Sequence, residues 1–119
     1  MGINEAVPGK ITVEPEVLET IARLTAQKVA GVVQIYQQVE GKRFLGLSHN
    51  PVEVAVNAGR VSVEVHVLAA PEISLLKLGQ TIQRDVTQAI QKMIEMPVET
   101  VNVYIEDVIF AQAEERETA

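Results

Sequence analysis

His49 and His66 are the only imidazoles in a chain that contains no cysteine. A nucleophile activated by a neighbouring base would therefore be a hydroxyl served by one of these two rings. The segment Gly46-Leu47-Ser48-His49-Asn50 has the outline of a nucleophile elbow. Such an elbow needs a second glycine two residues after the serine and a strand-turn-helix around it. Asn50 stands where that glycine belongs, and the surrounding pattern is that of a loop. The segment reads as a surface turn, and no catalytic residue is assigned.

Carboxylates offer a second possibility. In the hairpin register argued below, Glu53 lies opposite Glu64, with His66 two residues further along the same face. Three such groups could hold a divalent cation or share a proton. An open sheet face, however, excludes no water and shifts no pKa, so the cluster reads as a solvated face, and no metal or cofactor ligand is assigned. The segment Gly41-Lys42-Arg43-Phe44-Leu45-Gly46 brings adjacent positive charge, an aromatic ring and glycines together. It lacks the Gly-Lys-Ser/Thr ending of a phosphate loop, and one Phe is a poor platform for stacked bases. Arg43, Phe44 and Leu45 are assigned to contact with a protein partner on an exposed loop, the alternative being an ordinary loop that tucks Phe44 into the core.

Composition narrows the partners further. Of 119 residues, 16 are acidic and 10 basic, a formal charge of −6 that repels a polyanion. The absence of cysteine suits a reducing compartment. No stretch reaches the roughly 20 apolar residues that span a bilayer, and the first nine residues lack the features of a secretory signal. The expectation is a cytoplasmic protein without direct membrane insertion, any membrane association coming through a partner. Only 3% of the residues are aromatic, so the core must be aliphatic.

The elements that position these residues follow from periodicity. Residues 10–13 alternate and read as a short strand, and Pro15 opens a helix whose stripe is Val17, Leu18, Ile21, Ala22, Leu24 and Val29. Gly31 is the stop, residues 32–39 form a strand, and residues 40–51 a loop. Residues 52–56 and 61–68 form a hairpin. An even loop sets Val56 against Val61, Val54 against Val63 and Val52 against Val65, which gathers six valines on one buried face; an odd loop would scatter them. From Pro71 a long helix carries Leu75, Leu78, Gly79, Ile82, Val86, Ala89, Ile90 and Met93 at helical spacing. Its polar side is of mixed sign, so it packs on the core and not on a bilayer.

After Pro97, Val101, Val103 and Ile105 alternate with Asn102, Tyr104 and Glu106 in a last strand, and the parity change between Ile105 and Val108 predicts a bulge or strand end. The predicted fold is α+β: a single sheet of four to five strands with two helices on one face, in the order β-α-β-β-β-α-β. Residues 1–8 form an N-terminal extension, 9–110 one domain, and 111–119 an acidic, disordered tail. An open sheet has edges, and the last strand is poorly protected. Asn102 and Tyr104 are assigned as partner-binding on that strand; if the strand were central, residues 32–39 would take the role.

Gly9-Lys10-Ile11-Thr12-Val13, Val17, Ile21-Ala22 and Val29-Ala30-Gly31-Val32 resemble the opening of the alkaline-shock protein twenty-three family, also called the envelope stress response family. Val61-Ser62-Val63-Glu64-Val65, Ile82-Gln83-Arg84-Asp85-Val86 with Ala89-Ile90 and Met93, and the ending from Val98 to Ile105 with Val-Asn-Val at its centre are similar to its second half. Members commonly carry Tyr-Gly before the long helix and Thr-Gly after it, where this chain has Ala69-Ala70-Pro71 and Glu95-Met96-Pro97.

The resemblance implies a small non-enzymatic protein of the bacterial cytoplasm, linked to alkaline or cell-envelope stress. It also implies association with the membrane through a separate anchor protein, and self-assembly in some members. Together with the edge argument, this leads to an interaction or scaffold protein that forms homo-oligomers or docks onto a membrane-anchored partner. The competing reading is a small RNA- or DNA-binding module, since sheets of this kind often bind nucleic acid; the acidic balance disfavours it.

Overall fold

The computed structural model describes residues 7–35 and 51–110. Pro15 occupies the first turn of α1 (Pro15–Gln27), where its missing N–H costs nothing, and Glu16 lies at the positive end of the helix dipole. Leu18, Ile21, Ala22 and Ala26 are its buried stripe. The helix tightens at its end, Lys28 N–H donating to the Thr25 carbonyl and Val29 N–H to that of Ala26. Gly31, at φ 103°, then turns the chain into β1 (Val32–Ile35).

The hairpin joins β2 (Val52–Asn57) to β3 (Arg60–Ala69) in the predicted register, with Val52, Val54 and Val56 opposite Val65, Val63 and Val61. Its loop is Ala58-Gly59, both at positive φ, as in the type I′ turn that matches strand twist. Ser74 caps α2 (Leu75–Ile94) by accepting from the Lys77 N–H. Glu95 ends it in the left-handed conformation, and β4 (Val98–Val108) follows.

Central to the sheet is β3. It pairs antiparallel with β2 over one half and with β1 over the other, and parallel with β4 along nearly its whole length. A strand has two edges, so β1 and β2 lie end to end on one side of β3 and β4 lies on the other. The parallel pair requires a crossover, which α2 supplies. On the core face Val61, Val63, Val65, Val67 and Ala69 meet Leu18, Ile21 and Ala22 of α1, Leu78, Ile82, Val86 and Ile90 of α2, and Val101 of β4. Both helices thus cover one face, α1 over β1 and β2, α2 beside β4. Each fully buried valine contributes roughly 1.5 to 3 kcal/mol.

The fold class is as expected, with four strands. Locally the structure differs in four places. Residues 10–13 form no strand; they are exposed and pair with no strand among the described residues. The long helix begins at Leu75 and not at Pro71, because Glu72 sits at φ 62° and the cap is Ser74. The last strand starts at Val98 and runs to Val108. Val56, the last core-face residue of an outer strand, is 42% exposed and Val54 is half-buried, so four of the six hairpin valines are buried. The predicted strand beyond Ile35, the loop of residues 40–50 and the acidic tail lie outside the described residues.

Candidate functional site: the open sheet face and the β4 edge

Alternation turns Glu53 and Ala55 of β2, Ser62, Glu64 and His66 of β3, and Asn102 and Tyr104 of β4 away from the helices. Glu53 is directly opposite Glu64, and Asn102 is the neighbour of Glu64 on its other side. Glu53, Ala55, Ser62, Glu64 and Asn102 line a depression of about 440 Å³. Glu19 is also at that depression, bringing a third carboxylate to its wall. Among the described residues, no three His, Asp or Glu groups come together closely enough to hold a metal ion.

Further along the same face Tyr104 neighbours His66, and their rings stack with centroids 4.6 Å apart and planes 11° apart. His66 Nδ1 is 2.5 Å from Glu106 Oε2. This contact depends on a bulge. Ile105 pairs with Val67 and Asp107 with Leu68, leaving Glu106 as the extra residue on β4, free to be aimed back at His66. The parity change in the sequence pointed to the bulge. The pairing of Glu106 with an imidazole 40 positions away had no sequence signal.

Asn102 and Tyr104 are both exposed, on a strand whose only pairing among the described residues is with β3. Among the described residues the final strand is therefore an edge. Two side chains engage its backbone at either end: Gln83 Nε2 donates to the Val101 carbonyl at 3.0 Å, and Asp107 Oδ1 accepts from the Val108 N–H at 2.8 Å. Residues 102–107 lie between these two engaged groups. Arg43, Phe44 and Leu45, together with Ser48 and His49, fall outside the described residues.

A four-stranded mixed sheet with both helices on one face, its other face open and β4 at its margin, defines the class: a small α+β domain of two layers. The chain belongs to the alkaline-shock protein twenty-three family, which has a cell envelope-related function; the family pattern matches residues 4–110. It is 24% identical over 106 residues to the uncharacterized protein YqhY of Bacillus subtilis (strain 168), covering 86% of this chain and 78% of that one. It is also 24% identical over 103 residues to the uncharacterized protein Spy1535 of Streptococcus pyogenes serotype M6, covering 85% and 80%. Among solved structures, a variant of MamM CTD aligns with a TM-score of 0.51 at 16% identity, over 79% of this chain and 98% of that one. That likeness is one of fold. No helix among the described residues is long and apolar enough to cross a membrane.

Proposed function

We propose that this protein is a non-enzymatic scaffold of the envelope or alkaline stress response, which self-associates or docks onto a membrane-anchored protein from the cytoplasmic side. The observation that carries the reading is the outer edge of β4, whose outward side over residues 102–107 has no ladder partner among the described residues, with Asn102 and Tyr104 beside it. Backbone edges of this kind recruit a further strand, the ladder supplying affinity and the alternate side chains specificity. The acidic balance of the chain also favours a protein partner over a polyanion.

The test is co-purification of the tagged chain from a bacterial lysate with and without detergent, alongside light scattering of the purified protein. The reading expects a particle larger than one copy, or a partner recovered in the membrane fraction. A monomer that brings down no partner under either condition would refute it.

A further inference from the structure

Residues 7–14 precede α1 as an exposed segment outside any helix or strand. Within it Ile11 is 94% exposed and Val7 87%, and Lys10-Ile11-Thr12-Val13 alternates as a strand does, without a strand paired to it among the described residues. A sequence built as a strand and an edge built to receive one are thus present together on the same chain. We propose that residues 9–13 of one copy add a strand to the outer edge of β4 in a second copy. The proposal rests on the self-association reading above and names the segment that performs it.

Three features select β4 and this arm. First, the patterns match. With Ile11 and Val13 on the helix side, they extend the layer of Val103 and Ile105, which are only partly buried against the core. Lys10 and Thr12 then fall on the open face beside Asn102, Tyr104 and Glu106. Second, the charges are complementary. Lys10 is the only charge between residues 9 and 13, whereas β4 carries Glu99, Glu106 and Asp107. Third, the lengths agree. Five extended residues span about 17 Å, which fits within the stretch of residues 102–107 between the two engaged backbone groups.

The topology also sets the symmetry. The arm leads into α1, which packs over β1 and β2, whereas the receiving edge is β4 on the far side of β3. A contact that joins one side of each copy to the opposite side of the next is heterologous and propagates head to tail, giving a ring or a filament and not a closed two-fold pair.

Sedimentation velocity of the full chain over a concentration series, with Ile11→Glu and Thr12→Pro, tests this. Thr12→Pro removes a ladder donor and Ile11→Glu an apolar anchor, so each should weaken association about tenfold or more. Both residues are exposed, so thermal unfolding of the monomeric chain, at concentrations below association, should be unchanged. Because the chain has no cysteine, Thr12→Cys protein mixed with Asn102→Cys protein should also give a disulfide-linked heterodimer on oxidation. An oligomer unaffected by both variants, with no cross-link, overturns the arm while leaving self-association standing. A wild-type chain monomeric at every concentration overturns self-association and the arm together. A lowered unfolding midpoint for Ile11→Glu, measured at concentrations where wild type and variant are both monomeric, would show that the arm folds onto its own copy, which also overturns the proposal.

Discussion

Tyr104 of β4 lies flat against His66 of β3, ring centroids 4.6 Å apart, and His66 in turn reaches Glu106 at the bulge of the same outer strand. One imidazole thereby ties two residues of the edge strand to the centre of the sheet. Stacked cross-strand pairs contribute about 0.5 to 1.5 kcal/mol beyond area burial.

Tyr104→Phe should leave stability and particle size near wild type, because the ring face is kept. Tyr104→Lys removes the stack and places a cation at the edge, so it should lower stability by about 1 kcal/mol and reduce self-association. Chemical unfolding and light scattering measure the two effects separately. Unchanged size with unchanged stability would exclude this face of β4 as an assembly surface.

Val63→Asp should abolish folding. Val63 is fully buried between Val54 and Val101, and a lone carboxylate there costs several kcal/mol or takes up a proton instead. Far-ultraviolet circular dichroism with a urea titration provides the check; a soluble variant that unfolds cooperatively would contradict the burial assigned to this face.

Ala58 and Glu95 are non-glycine residues in the left-handed region, at φ 52° and 64°. Left-handed backbone costs an ordinary L-residue roughly 1 kcal/mol, less for Asn and nothing for Gly. Ala58→Asn, which creates the favoured Asn-Gly turn, and Glu95→Gly, at the position ending α2, should each raise stability by about 0.5 to 1 kcal/mol. Thermal melts of the single and double variants should show additivity, since the two sites belong to separate turns.

Gly31→Ala should lower stability by about 1 to 2 kcal/mol, and the cause can be isolated. A β-carbon at Gly31 would come within 2.8 Å of Ile73 Cδ1 and 3.3 Å of Leu78 Cδ1; the first ends a flexible, partly exposed side chain that can move aside, and the second asks the buried Leu78 to give only a few tenths of an ångström. The φ of 103° cannot relax without disturbing the Ala70 N–H to Gly31 carbonyl bond that holds the end of β3. Pairing Gly31→Ala with Ile73→Ala should therefore recover little of the loss; full recovery in urea titrations would assign the cost to the contact instead of to the backbone.

The hairpin register was legible because side-chain parity in a strand has period two: only an even loop places Val52, Val54 and Val56 opposite Val65, Val63 and Val61, and the structure has that pairing. The helical stripes were legible for the same kind of reason, Leu18, Ile21 and Ala22 in one and Leu78, Ile82, Val86 and Ile90 in the other. The start of α2 was misplaced because Pro71 suits a first turn in isolation, and only the chain path through Glu72 moves the start to the Ser74 cap.

Of the candidate site, sequence alone determined that Asn102 and Tyr104 share a face opposite Val101 and Val103, since alternation is local. Tertiary structure decided that β4 runs parallel to β3 and that Glu106 bulges back toward His66, and that, among the described residues, β4 is an edge and residues 10–13 pair with no strand. Those outcomes turn on which strands meet across tens of intervening residues. A strand's pattern states which side it will bury, but the choice of neighbour is made by the packing of the helices that carry the chain across the sheet.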